Sequence, residues 1–348
     1  MTREKAIQCQ AGVGSQRLRR RPADRSQQLR QWVQFAFVAL NVWIGARFYL
    51  WLRQYENGGP LVYDRPPGVE GWLPIAGLLN LKAFLASGRV PLIHPAAMVL
   101  LIAFCVMSLV FRRSFCSWLC PVGTVSEQLW KLGRRLFQRN WTLPRWLDLS
   151  LRSLKYLLLG FFLFAAVTMS VESIESFMRS PYGVLADVKM LDLFRYMSVT
   201  SAFVLGVLIL SSIVVKNFWC RYACPYGALT GLLALASPLR IRRQMDQCID
   251  CGKCARACPS QLPVDRLVQI RSAECLGCME CVAACPIEGA LDLRAFSHKR
   301  IPAGWVAIGA AAVFIVAVAV AKTTGHWQTT IPSQVYSQWI PFARELSH

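Results

Sequence analysis

The sequence predicts an α-helical membrane protein of about five transmembrane helices with a small, cysteine-rich α+β insert on the cytoplasmic side. Three observations carry that prediction. Apolar residues make up 55% of the 348 and charged residues 17%, with mean hydropathy +0.37, a balance foreign to soluble domains. Five apolar segments, 32–52, 94–111, 154–171, 198–215 and 301–321, approach the roughly 20 residues needed to cross a hydrocarbon core of about 30 Å. Twelve of the 14 cysteines stand in tight metal-ligand spacings, which suit metal in a reducing compartment better than disulfides.

The formal charge of +20 would point to nucleic acid in a soluble chain. Here the basic residues flank apolar stretches, so they orient the chain and no nucleic-acid partner is inferred. Residues 1–31, 112–153 and 216–300 hold 28 lysines and arginines, against 9 in 53–93, 172–197 and 322–348. By the positive-inside rule the N-terminus and both cysteine-rich loops are cytoplasmic, in a bacterial inner membrane. The tail 322–348 is periplasmic.

In chain order, residues 1–31 form a basic cytoplasmic leader that includes Cys9. The span 32–52 lacks a small-residue cleavage signature and is a retained anchor; within it Arg47 snorkels and Asn41 has no assigned role. Gly58-Gly59-Pro60 and Pro66-Pro67-Gly68 mark turns. The apolar stretch 69–85 carries Pro74, Asn80 and Lys82, so it predicts an interfacial or re-entrant helix with Trp72 at headgroup level. The membrane domain of four helices runs over 32–244, and Cys105 inside it behaves as a small hydrophobe. His94 stands at the periplasmic end of the second span, where a quinol could hand over a proton; the alternative is an ordinary interfacial histidine. Glu172 and Glu175 face water. The cysteine-rich domain covers 245–298, and the fifth helix 299–321 follows.

Two internal repeats pair chemistry with position. At an offset of 104, helix 94–111 leads into Phe115-Cys116-Ser117-Trp118-Leu119-Cys120-Pro121-Val122-Gly123, and helix 198–215 into Trp219-Cys220-Arg221-Tyr222-Ala223-Cys224-Pro225-Tyr226-Gly227. Such duplication builds pseudo-symmetric helix hairpins with a site between them. Cys116, Cys120, Cys220 and Cys224 fit metal ligation, a redox disulfide or incidental thiols, and the repeat makes them two halves of one further metal site. At an offset of 27, Cys248, Cys251, Cys254, Cys258 and Pro259 map onto Cys275, Cys278, Cys281, Cys285 and Pro286.

Each run of the second repeat is the C-x2-C-x2-C-x3-C-P pattern of bacterial ferredoxins, in which the fourth cysteine ligates the other cluster. One [4Fe–4S] cluster is therefore expected on Cys248, Cys251, Cys254 and Cys285, and a second on Cys275, Cys278, Cys281 and Cys258. Gly252 and Gly277 keep backbone amides near the sulfurs. Structural zinc pairs two C-x2-C knuckles and has no use for a third cysteine and a Cys-Pro.

With helices, two Cys-x3-Cys-Pro loops and a double ferredoxin motif in this order, the chain resembles the membrane quinol dehydrogenase family of polyferredoxins. That family includes the membrane subunit serving periplasmic nitrate reductase and the C-terminal half of the nitrous-oxide reductase maturation protein. The likeness covers nearly the whole chain, through Gly71 to Leu78, Cys116 to Gly123, Asp187 to Asp192 and Cys248 to Cys254. It implies electron transfer from the quinol pool through clusters toward a redox protein partner. The nitrous-oxide maturation proteins carry a flavin domain before the first helix; here a short leader stands in that place, so no flavin is inferred, and no haem motif occurs. The alternatives are a maturation factor supplying electrons for cofactor insertion in a periplasmic reductase, and a membrane redox sensor.

Overall fold

The computed structural model describes residues 19–343 and 345, apart from 23, 59 and 296–298. Cys9 and most of the leader lie outside the described residues. Helix α1 (Ser26–Glu56) opens the membrane part, and a 3-10 turn (Pro67–Trp72) and α2 (Pro74–Ser87) follow. Gly88, left-handed at φ 69°, ends α2. Helix α3 (Pro95–Phe111) is apolar on every face, and ten of its 17 residues are buried, so it forms the centre of the membrane part. It packs against α2 and against the later helix α13 (Ala303–Thr323).

A π-type turn (Phe115–Leu119) leads from α3 into α4 (Pro121–Phe137), and α5 (Arg145–Thr168) follows. Short helices α6 (Val171–Arg179), α7 (Pro181–Val184) and α8 (Ala186–Arg195) bridge to α9 (Val199–Val214). A second π-type turn (Trp219–Ala223) then enters α10 (Pro225–Leu233). The two halves interlock reciprocally: α3 packs on α10, and α9 packs on α4. Each helix that precedes a cysteine loop thus lies on the helix that follows the other loop.

Helices α1, α5 and α13 are long and apolar enough to cross a membrane; α8 with α9 makes a fourth if that pair, bent by 81°, is one broken span. The expected spans 94–111 and 198–215 form helices of 17 and 16 residues. The first of these is an apolar helix shorter than a full span, and more than half of its residues are buried within the protein.

The cysteine-rich insert is framed by β1 (Arg240–Arg243) and β2 (Leu291–Arg294), antiparallel with Ile241 opposite Leu293. Those two side chains face one core, as the period of two requires, while Asp292 on the strand's other side holds Arg21 at 3.0 Å and Arg300 at 3.1 Å. Between the strands lie α11 (Lys253–Ala257) and α12 (Glu280–Ala283); α14 (Ser333–Trp339) closes the chain. Residues 19–21 of the leader are paired with the insert, through Arg21 N–H to Pro286 O (2.9 Å) and Glu288 N–H to Arg19 O (3.0 Å).

Buried charges hold the insert to the membrane helices. Arg30, 1% exposed, donates to both oxygens of Glu127 (2.7 Å each) and to Glu280 (2.7 Å), joining α1, α4 and α12. Lys155 of α5 donates to both oxygens of Glu274 (2.7 and 2.6 Å). Removing one member of such a group leaves a buried charge unpaired, which costs about 3–5 kcal/mol. Arg30→Met is therefore expected to destabilise the protein by about that amount, seen as a lower unfolding midpoint in detergent. Glu175→Ala, which breaks an exposed pair with Arg179, should cost under about 1 kcal/mol; equal effects would show that burial of the Arg30 group carries no weight.

Candidate functional site

The two C-x3-C-P loops have one local structure, set by their shared sequence. In each π-type turn the closing bond spans five residues: Cys120 N–H to Phe115 O (2.8 Å) and Cys224 N–H to Trp219 O (3.1 Å). Such single π turns are frequent at functional sites. Cys120 and Cys224 are then the N-cap residues of α4 and α10, and Pro121 and Pro225 take the first helical position, where no amide hydrogen is needed. The Cys224 sulfur accepts from Gly227 N–H at 3.2 Å, and the amides of Val122 and Gly123 stand near the Cys120 sulfur. A Cβ on Gly123 would lie 2.4 Å from Cys116 O, and one on Gly227 would lie 2.8 Å from Arg113 Nη2. Close approach to backbone thus requires glycine at 123, whereas at 227 the nearest backbone atom, Cys220 O, would lie at 3.4 Å and the closer contact is the end of a side chain.

Cys116, Cys120, Cys220 and Cys224 line one cavity of about 320 Å³, whose apolar wall includes Phe37, Trp72, Leu100, Phe104 and Phe314. Each of the four thiols lies within electrostatic reach of the other three. The structure thus brings together residues 104 positions apart, as crossed packing of a duplicated unit requires. Arg113, 1% exposed, lines the same cavity. Its Nη1 donates to Ala273 O at 3.1 Å, while Nε and Nη2 make no hydrogen bond of ordinary geometry. Arg113 stands close to Cys116 and Cys224. Sequence reading missed it, because Arg112-Arg113 after an apolar helix looks like an orientation signal; the cue was its place three residues before a repeated cysteine.

The ferredoxin-type loops also repeat in conformation. Asp250 and Gly252 in one, and Gly277 and Met279 in the other, have left-handed backbones at φ 48°, 63°, 66° and 61°. These are equivalent positions at the offset of 27, and glycine fills a different one in each loop. Left-handed Asp and Met cost of order 1–3 kcal/mol each and persist where surroundings over-determine them; alternating left-handed residues turn backbone N–H groups to one side, as anionic sulfur requires.

Cys248, Cys251, Cys254 and Cys285 line one cavity. Cys258, Cys275 and Cys281 are buried in one core, Cys278 is buried beside them, and Cys258 lies within electrostatic reach of Cys275, Cys278 and Cys281. In each set the fourth cysteine of one motif stands with the first three of the other. Burial pushes the Cys258 thiol up to about 11 and holds Cys278 and Cys281 well above the ordinary thiol range, so a bound cation is what would make them thiolates. Among the described residues no three His, Cys, Asp or Glu side chains converge closely enough for a single metal ion. A cubane, with each thiolate on a different iron, takes a wider ring.

His94 does not line the four-cysteine cavity. It is fully enclosed, with left-handed backbone (φ 52°), at the N-cap of α3. Its Nε2 donates to Gly183 O at 2.9 Å, and Nδ1 faces Arg65 Nη2 and Glu70 Oε1, each at 3.2 Å. Arg65 also holds Asp187 at 2.7 Å. Sequence reading assigned no role here to Arg65, Glu70 or Asp187, because the group draws on three separated stretches, 65–70, His94 and Asp187. Asn41 accepts from Trp72 Nε1 at 3.1 Å, and the Arg47 guanidinium lies over Trp43 and Tyr63.

A family profile described as a 4Fe–4S binding domain matches residues 93–142 and 198–244, the two halves of the 104-residue repeat. A second, described as a 4Fe–4S dicluster domain, matches residues 240–286. The chain is 46% identical to "Putative electron transport protein YccM" of Escherichia coli (strain K12), over 92% of this chain and 91% of that protein. It is 25% identical to the ferredoxin-type protein NapH of the same organism, over 64% of this chain and 72% of NapH. It is 30% identical to the methylamine utilization ferredoxin-type protein MauN of Paracoccus denitrificans, over 49% of this chain and 56% of MauN. No solved structure matches. Gly123→Ala is expected to destabilise the protein by about 1–3 kcal/mol, as overpacking does, and to perturb the Cys116 turn; an unchanged unfolding midpoint would show that the close approach is not enforced.

Proposed function

This chain belongs to the family that includes YccM, and we propose that it is a membrane-bound iron–sulfur electron-transfer protein linking the quinol pool to a redox protein partner. The observation that carries the reading is the crossed arrangement of the ferredoxin cysteines, Cys285 with Cys248, Cys251 and Cys254, and Cys258 with Cys275, Cys278 and Cys281. Crossed ligation is the mark of two adjacent [4Fe–4S] clusters, which when bound supply one-electron chemistry. The cysteines hold the clusters, and the left-handed loops aim amides at the sulfurs.

The apolar cavity is where a quinol headgroup would enter from the bilayer, between Phe37, Trp72 and Phe314. His94 takes a quinol proton by way of Glu70, whose neighbour Gly71 lines that cavity. Nδ1 can accept from Arg65 when the ring is neutral and donate to Glu70 when it is charged, so the site has room for the proton. The chain crosses the membrane five times, with the N-terminus and the domain 245–298 cytoplasmic and the tail 322–348 periplasmic; 28 against 9 basic residues support this sense. The domains are the leader 1–31, the membrane domain 32–244, the ferredoxin domain 245–298, the fifth helix 299–321 and the tail.

Two experiments test the proposal. A reporter active only in the cytoplasm should work when fused after Arg300 and fail after His348; the reverse would overturn the topology. In anaerobically purified protein, menaquinol or ubiquinol should reduce the ferredoxin-domain clusters, and Cys258→Ala should remove the signal of the cluster on Cys275, Cys278 and Cys281 while sparing the other. His94→Ala should slow quinol oxidation with both clusters intact. Clusters that no quinol reduces would sink the quinol link.

A further inference from the structure

We infer that Cys116, Cys120, Cys220 and Cys224 together hold a third iron–sulfur cluster inside the membrane domain, with Arg113 as its counter-cation. The family description covers both loops without naming ligands; the geometry assigns them. All four thiols line one cavity and lie within electrostatic reach of one another. Cysteine thiolates in sets of four are the ligand set of both [2Fe–2S] and [4Fe–4S] clusters, and such a cluster carries net negative charge.

A negative group out of water needs compensation, and the cavity provides it from two sources. Arg113 is buried, with Nε and Nη2 unpartnered. The nearby carboxylate of Glu274 is already engaged by Lys155 at 2.6 and 2.7 Å and by Tyr156 at 2.9 Å. The N-terminus of α10 adds an amide donor to Cys224, and α4 and α10, which Cys120 and Cys224 cap, add the positive ends of two helix dipoles. A pair of disulfides would leave Arg113 facing neutral sulfur, an uncompensated buried charge. An anionic occupant removes that penalty.

The position also supplies a route. Ser117, next to Cys116, donates its hydroxyl to Leu276 O at 2.7 Å, and Leu276 follows Cys275 of the ferredoxin domain. Arg113 bonds Ala273 O on the same segment. One-electron exchange between the membrane site and the ferredoxin domain therefore has one hydrogen bond to cross between covalently continuous pieces. The site rests on the proposed function only for the quinol that would feed it, and it is separate from the ferredoxin cysteines, so either can be lost alone.

The test is iron, sulfide and zinc content of the full-length protein purified anaerobically in detergent, with electron paramagnetic resonance and Mössbauer spectra at defined potentials. Wild type should hold iron beyond the eight of two cubanes, about two more for a [2Fe–2S] cluster or about four more for a [4Fe–4S] cluster. Serine at all four positions should remove only that excess, and the ferredoxin signals report that the rest is folded. Cys116→Ser and Cys220→Ser, each alone, should each remove it, because one site is shared. Arg113→Met should lower the midpoint potential of the extra signal or abolish it, whereas Arg113→Lys should largely restore it. Eight irons only in wild type, zinc at the site, iron unchanged in both single-serine proteins, or a midpoint indifferent to Arg113→Met would each overturn the assignment.

Discussion

Everything at the centre of this protein depends on how the duplicated helix–loop–helix unit packs on its own copy. Because α3 lies on α10 and α9 lies on α4, each half completes the other, and neither could bury its apolar face alone. The crossing forces the two π-type turns to the same end of the bundle and turns both helix N-termini toward one point. Convergence of four cysteines is a consequence of that packing. Nothing in either loop by itself could bring it about.

The second constraint is electrostatic. A ferredoxin-type insert that floats free on a linker would exchange electrons poorly with membrane helices, and here it is fixed by charges placed where water cannot reach them. Arg112 donates to Leu239 O, Ile270 O and Ser272 O, and Arg113 continues the same seam. Four carbonyl groups take their donors from these two guanidinium groups, although Arg112 Nε and Arg113 Nε and Nη2 have no hydrogen-bond partner among the described residues, so separating the insert exposes several unpaired carbonyl groups at once. Rigidity of the junction follows from that cost, and rigidity is what keeps the Ser117–Leu276 contact in place.

Much of this was legible in the sequence, and the limits have physical causes. All five apolar segments became helices, because composition decides helix formation where lipid or an apolar core surrounds the chain. Length was less legible: α3 and α9 are slightly shorter than the segments that announced them, α3 because the left-handed residues His94 and Arg112 bound it, and α9 because Ser198 caps its start and Val215 is extended. The repeats could be read because they pair cysteine spacing with proline. Partners drawn from distant segments could not be read: Arg30 with Glu127 and Glu280, Lys155 with Glu274, and His94 with Glu70 and Arg65. Pattern along a chain reports faces and caps, whereas a buried ion pair is specified only when two patterns meet in space. Arg112 and Arg113 illustrate the ambiguity, since a basic pair after an apolar helix is equally a topology signal and a docking device.

The symmetry of the duplicated unit is broken at the positions where the two loops must do different things. Ser117 corresponds to Arg221, and Trp118 to Tyr222, at the offset of 104. In the first loop Ser117 reaches the ferredoxin segment at Leu276, and the Trp118 indole is directed at Gly277 O. In the second loop Arg221 and Tyr222 turn instead to Asp148 of α5, at 2.8 and 2.6 Å. Arg113, which faces the cavity, corresponds to Asn217, which meets Ser126 of α4. One loop therefore faces outward to the ferredoxin domain while the other is tied back to the membrane helices. The pair of loops is thus joined on one side to the ferredoxin-type segment and on the other to α5, a difference that a fully symmetric pair would lack.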